Sequence, residues 1–131
     1  MPIFQAPVVS LGLASPVVIP GIADFDRLDR FTPRSHEGFV VGYVGTVNFA
    51  KLHPAYVAMS AAVRNNAVRF DVAGDGGQET LKEQAAALGA AGRFTFRGYV
   101  ENIRGLLETW DLFGYPLRAD TYATSEKALQ E

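Results

Sequence analysis

The stretch Phe39–Val44 (FVVGYV) is a nearly continuous apolar run, not an alternation, and it stops at Gly45. A strand covered on both faces has this pattern, whereas a strand with one wet face alternates. Such a strand needs parallel neighbours and helices on its two sides, so this segment points to an α/β fold. Beyond Gly45 the chain passes through small residues to Lys51, and His53-Pro54 then marks a helix start. Pro54 suits the first helical position, with His53 at or near the N-cap. A strand that ends at a glycine, ahead of a lysine and a helix N-terminus, is how α/β folds build an anion site. The glycine lets N–H groups approach, and the helix end and the lysine supply positive potential.

The rest of the chain repeats the unit. A helix is predicted after Pro54, with Tyr56, Met59, Ser60, Val63 and Ala67 on one face and Asn65-Asn66 marking its end. Val68, Phe70 and Val72 alternate with Arg69 and Asp71, which predicts a second strand, and Gly74-Asp75-Gly76-Gly77 reads as a turn. Gln78 to Leu88 is predicted as a helix burying Leu81, Ala85 and Leu88, closed by Gly89. Phe94 and Phe96 predict a third strand ending at Gly98. Ile103, Leu106, Leu107 and Trp110 have helical spacing after a polar Glu101-Asn102 start. Leu112 to Tyr115 predicts a short fourth strand, and Thr124 or Ser125 caps a helix from Glu126. This alternation implies a Rossmann-like parallel sheet with helices on both faces and right-handed crossovers.

Residues 1–20 read as extended pieces divided by Pro7, Pro16 and Pro20, and residues 24–37 as a charged surface connection with room for a short helical turn. Together they make an N-terminal arm or interdomain linker over 1–38, with residues 39–131 as the domain itself. The chain stops early in a helix, so the domain is expected to be incomplete at its C-terminus. One sheet edge is then unprotected, and the arm or a second copy of the chain is expected to cover it.

Composition narrows the function. With 131 residues, 48% hydrophobic and 20% charged, the chain can bury one core unaided. A net charge of −2 gives no electrostatic case for nucleic acid or an anionic membrane. No cysteine is present, which removes disulfides, thiolate metal sites and cysteine nucleophiles. His36 and His53 are the two histidines and have no third partner at ligand spacing, so no metal site is expected. No apolar run is long enough to span a bilayer, and the apolar N-terminus has no basic lead-in. A cytoplasmic protein is expected.

Three motif readings fail on single residues. The P-loop pattern needs glycine before the lysine and a hydroxyl after it, where Ala50 and Leu52 stand. A dinucleotide fingerprint starting at Gly74 needs glycine where Glu79 stands, and a carboxylate there would repel pyrophosphate. None of Ser10, Ser15, Ser35, Ser60 and Ser125 sits in a GxSxG elbow.

Five landmarks, in order, resemble the C-terminal, donor-binding domain of a GT-B-fold glycosyltransferase of family 4 type. Val18-Ile19-Pro20-Gly21 is similar to the VIPNG start of that domain. Val44 to Lys51 is similar to VGRLxxxK, Val72-Ala73-Gly74-Asp75-Gly76 to VGDG, and Phe96-Arg97-Gly98-Tyr99-Val100 to FxGYV. Glu126 to Glu131 is similar to the run into an LLEAMA helix.

The resemblance implies roles. Gly45 and Lys51 would hold the donor diphosphate, with Thr46 standing where the family has a second cation, arginine. Backbone around Tyr99 and Val100 would hold the base. Glu131 matches the second glutamate of an E-x7-E motif, which binds ribose hydroxyls. The first aligns with Ala123, and Glu126 is the candidate substitute. The implied reaction is retaining transfer of a sugar from a UDP- or GDP-sugar to an acceptor hydroxyl, with no metal and no other cofactor. The acceptor side of the cleft belongs to an N-terminal domain that this chain lacks, so the chain alone is expected to transfer no sugar. The alternative is a non-catalytic α/β nucleotide-binding or interaction module, which Thr46 and Ala123 favour.

Overall fold

A computed structural model of the chain describes residues 25–118. Four strands, β1 (Phe39–Val44), β2 (Val68–Ala73), β3 (Phe94–Gly98) and β4 (Leu112–Phe113), form one parallel sheet in the order β3-β2-β1-β4. The chain moves outward from β1 to β3 through helices α1 (Tyr56–Ala61) and α2 (Gln78–Ala87). It then crosses back over β1 through α3 (Ile103–Leu107) to lay down β4. Right-handed crossovers put helices on opposite faces once the direction of travel reverses. The predicted Rossmann-like architecture, with helices on both faces, is the one found. The arm before residue 25, Val18 to Gly21, Ala123 and the predicted helix from Glu126 lie outside the described residues.

The two faces bury different chemistry. On one, Val41, Tyr43, Val68, Phe70, Val72, Phe94 and Phe96 of the sheet meet Tyr56 and Val57 of α1 and Leu81 and Ala85 of α2. Each large side chain buried this way contributes roughly 1.5–3 kcal/mol. Phe70, Phe94 and Phe96 stack in sequence, with centroids 5.0 and 5.8 Å apart. Burial first, and then the charge of Asp71, pushes the Tyr56 phenol above its usual range. On the other face, Ala73 packs with Ile103 and Leu106 of α3, joined by Val44, Val100, Leu107 and Trp110. Asp71 of β2 is buried here, where its carboxylate accepts from Arg97 Nε at 2.6 and 2.8 Å and from Trp110 Nε1 at 3.0 Å.

Helix α1 differs from its prediction. It starts at Tyr56 behind Ala55, and His53 shapes the turn before it: His53 Nδ1 accepts from the Ala55 N–H at 3.1 Å. Its buried face is Tyr56, Val57 and Ser60, while Met59 and Val63 are 45% and 38% exposed and Ala67 is exposed. The helix ends at Ala61, and another element takes that residue's carbonyl together with two beyond the helix. The Arg93 guanidinium donates to Ala61 O (3.2 Å), Val63 O (3.1 Å) and Asn65 O (3.2 Å), and sits over the Phe70 ring.

Helix α2 ends as predicted at Gly89, whose φ is +64°. Ala90 N–H donates to Ala85 O and Gly89 N–H to Ala86 O, a complete Schellman pair. Leu88, expected inside, is the C-cap and is exposed. Trp110 lies beyond the end of α3, whose N-cap Asn102 accepts from the Gly105 N–H.

The segment ahead of β1, apart from a 3-10 turn at Phe25–Leu28, is strapped to the end of α3 by polar contacts. Buried Glu108 accepts from Arg34 Nε at 2.7 Å, and Arg34 N–H donates to Glu108 O at 2.7 Å. His36 Nε2 meets Asp111 Oδ2 at 2.9 Å, and the same oxygen accepts from the Val40 N–H. Among the described residues, no helix is long and apolar enough to cross a membrane.

Candidate functional site

Loops leaving the carboxyl ends of β1, β2 and β3 enclose a cleft of about 300 Å³. In an open parallel sheet this end is where ligands bind, because the loops diverge there and leave space between them. The β1 loop supplies Gly45 and Thr46, the β2 loop Gly74 and Asp75, and the β3–α3 connection Tyr99, Val100 and Glu101.

The first two loops are seamed together past the ends of their strands. Gly45 N–H donates to Ala73 O (3.1 Å), Val47 N–H to Asp75 O (2.8 Å) and Gly77 N–H to Val47 O (2.9 Å). The approach is so close that a Cβ on Gly74, whose φ is +145°, would overlap the Gly45 carbonyl. Gly45 itself has φ +152° and is flanked by Tyr43 and Tyr115. These two rings stack 5.1 Å apart, and the fully buried Tyr43 donates to Thr46 O at 3.2 Å. Both positions therefore require glycine.

The β2–β3 side is joined differently. β3 carries a bulge: Val72 pairs with Phe96 but Ala73 with Gly98, leaving Arg97 without an opposite residue. Gly74 N–H donates to Gly98 O at 2.7 Å. The buried Gln78 amide then spans the two strand ends, donating from Nε2 to Gly74 O at 2.5 Å and accepting at Oε1 from the Gly98 N–H at 3.1 Å.

The cleft offers backbone donors and side-chain acceptors. Among the described residues, the N–H groups of Thr46, Tyr99 and Val100 make no backbone hydrogen bond in turns or loops. Asp75 and Glu101 are acidic residues of the lining, and among the described residues neither lysine nor arginine lines it. Val44, Val100 and Ile103 make the apolar part, and Tyr99, 76% exposed, stands at the rim.

Of the residues singled out from sequence, Gly45, Thr46, Tyr99 and Val100 come together in this cleft. Lys51 does not line it. It is exposed in the turn beyond, its N–H bonded to Asn48 and its carbonyl accepting from the Arg118 N–H. Glu126 and Glu131 lie outside the described residues. His36 and His53 are both away from the cleft, and no group of three or more metal-ligating side chains occurs among the described residues. Sequence reasoning did not single out Gln78, which read only as a helix start, or Glu101. The one signal for the close loop contact was a glycine just past the end of each neighbouring strand.

Residues 38–130 match the model of a protein family described as glycosyl transferases group 1. Among solved structures, the chain is similar to Anabaena HepE in complex with UDP-glucose, 20% identical over 85% of this chain and 35% of that one, with a TM-score of 0.64. HepE in complex with UDP and glucose gives 24% identity, 60% and 23% coverage, and a TM-score of 0.54. The lipopolysaccharide outer core galactosyltransferase WaaB, in its apo form, gives 15% identity, 83% and 33% coverage, and 0.51. At these identities the likeness is one of fold. The chain spans 23–35% of the length of these structures. Among curated proteins none matches the chain.

Proposed function

The chain belongs to the group 1 glycosyl transferases, and we propose that its cleft is the donor site of a GT-B-type, retaining transferase that uses a UDP- or GDP-sugar. The observation that carries this reading is the cleft itself. It sits at the carboxyl ends of three parallel strands, with Gly45 and Gly74 in close contact and with N–H groups at Thr46, Tyr99 and Val100 that make no turn or loop backbone hydrogen bond among the described residues. The similar HepE structures hold UDP-glucose, or UDP and glucose, which supports the nucleoside diphosphate class.

The lining divides the donor in a definite way. Two acidic residues, with no lysine or arginine among the described residues of the lining, disfavour a diphosphate inside the cleft and favour the nucleoside, whose base N–H and ribose hydroxyls are donors. The exposed ring of Tyr99 and the backbone at Val100 face the base. The diphosphate then leaves over the Gly45-Thr46 turn toward the loop that carries Lys51. There backbone donors and the lysine meet the charge that develops as the sugar departs, rather than a metal ion. Glu126 and Glu131 keep the ribose-side role that the resemblance gives them. The acceptor hydroxyl attacks from a second, N-terminal domain, so the 131-residue chain binds donor and transfers no sugar. A cytoplasmic setting, where nucleotide sugars are used, fits this role.

A second reading has its own support. Thr46 in place of arginine and the acidic lining suit a non-catalytic nucleotide-binding module derived from the same fold. Titrating UDP, GDP and ADP, with their monophosphates, against the chain and against Lys51→Ala separates the two. In the donor reading, Lys51→Ala weakens diphosphates about tenfold, a loss of ~1.4 kcal/mol, and leaves monophosphates unchanged. Equal effects on both, or none, select the module.

A further inference from the structure

We infer that Gln78 is a positioning residue for the nucleotide: its side-chain amide sets the separation between the Gly74-Asp75 and Tyr99-Val100 walls of the cleft. The inference rests on the donor-site reading for its ligand, though not for its geometry. Gly74, Gly98 and Gln78 form a closed ring of three hydrogen bonds. Gly74 N–H donates to Gly98 O, Gln78 Nε2 donates to Gly74 O, and Gly98 N–H donates to Gln78 Oε1.

A parallel ladder would continue through peptide groups at this point, but the bulge in β3 puts the strand ends out of step. The glutamine amide, which carries the same donor and acceptor as a peptide, fills the gap. Its burial and its two bonds hold it in one orientation, because a flip would place its oxygen against the Gly74 carbonyl and its NH₂ against the Gly98 N–H. Gly74 lines the cleft on one side, and Gly98 directly precedes Tyr99 on the other. Gln78 touches neither the base nor the phosphates in this scheme and acts through the two walls.

Gln78→Glu gives a test with a reversible readout. An ionised glutamate still accepts from the Gly98 N–H but presents an oxygen to the Gly74 carbonyl, and the staple opens. A protonated glutamic acid restores the donor and is nearly isosteric with glutamine. Burial beside a carbonyl raises its pKa, which brings the protonation into reach at pH 5.

In the 131-residue chain without ligand, the Gly98, Tyr99 and Val100 amide resonances of Gln78→Glu are expected to differ from wild type at pH 7.5 and to return at pH 5. With UDP or GDP, the ratio of variant to wild-type Kd is expected to be about tenfold at pH 7.5 and to fall within twofold at pH 5. Using the ratio cancels the titration of the nucleotide itself. A ratio near one at pH 7.5, or one that does not change with pH, overturns the inference, as do amide resonances that stay at wild-type positions.

Should the variant not fold at pH 7.5, the wild-type chain supplies the measurement. The Gln78 side-chain NH₂ is expected to be slow to exchange, and slower still when nucleotide is bound, and unchanged exchange on saturation overturns the role. A wild type that binds no nucleoside diphosphate overturns the donor reading alone, and the ligand-free resonances then decide the staple.

Discussion

The indole of Trp110 occupies the space that a side chain at Gly42 would fill, so that a Cβ there would overlap the ring. Gly42 is in the middle of β1, a position where glycine otherwise weakens a strand. Here it opens a slot through which the indole reaches the sheet and donates from Nε1 to Asp71 Oδ2.

Gly42→Ala is therefore expected to destabilise the fold by about 1–3 kcal/mol, the cost of overpacking a filled core. The shift would appear as a lower denaturant midpoint with an altered emission spectrum from the lone tryptophan. An unchanged spectrum would show that the ring does not lie against Gly42.

Asp71 is the acceptor for two donors of unequal exposure. Its carboxylate is 6% exposed and the Arg97 side chain 44%. Water can therefore rehydrate the arginine more readily than the indole N–H. Asp71→Ala is expected to cost about 1–3 kcal/mol, mostly by stranding Trp110 Nε1. Asp71→Asn keeps an acceptor for the indole and should cost less. Urea unfolding of the two variants checks the order, and an Asn variant as unstable as Ala contradicts it.

Gly74→Ala combines a positive φ with an overlap on the Gly45 carbonyl. The strain is expected to cost about 1–3 kcal/mol and to abolish nucleotide binding, since Gly74 lines the cleft. Gly92→Ala is the control. A Cβ at Gly92 meets nothing within 4 Å, so its effect should stay within about 0.5 kcal/mol. Matching thermal and binding losses in the two variants would contradict the loop seam.

The strap ahead of β1 is expected to respond to pH through His36 and Asp111. Both ring nitrogens of His36 face oxygens, Nδ1 the Arg34 carbonyl at 3.0 Å and Nε2 Asp111 Oδ2 at 2.9 Å, so only the doubly protonated ring donates to both. The Arg34 carbonyl first, and then Asp111, raises the His36 pKa above 6.5. The Val40 N–H first, and then His36, lowers that of Asp111 below 3.8. The histidine's contribution is full below pH 6.5 and is lost as pH rises through the raised value. The aspartate's contribution is present above pH 3.8 and is lost as pH falls through the lowered value. Limited proteolysis across residues 29–37 should be slowest between these limits, and in His36→Gln the alkaline increase should vanish. An NMR titration placing His36 at or below 6.5 contradicts the arrangement.

Legibility in the sequence followed the locality of each signal. β1 was readable to its exact ends because burial on both faces leaves a continuous apolar run, and β2 because its inward side chains alternate with Arg69 and Asp71. Gly89 was readable because a helix stop needs a left-handed residue wherever it occurs. α1 was overextended because Met59, Val63 and Ala67 have helical spacing, while the side chain that binds the carbonyls at and past its end comes from Arg93, thirty-two residues after Ala61. In the cleft, Gly45, Thr46, Tyr99 and Val100 were recognisable from their motifs. Gln78 was not, because its partners Gly74 and Gly98 belong to two different strand ends that meet only in the folded sheet.

The contact between Gly45 and Gly74 has a consequence for how a ligand is received. Two loops held by three interloop hydrogen bonds, with no room for a Cβ, cannot part without breaking the end of the sheet. The floor of the cleft has thus lost its conformational entropy on folding, before any nucleotide arrives. On the donor-site reading, binding is then spared much of its ordering cost. Adaptation to different bases, on the same reading, falls to Tyr99, whose exposed ring has space to change rotamer.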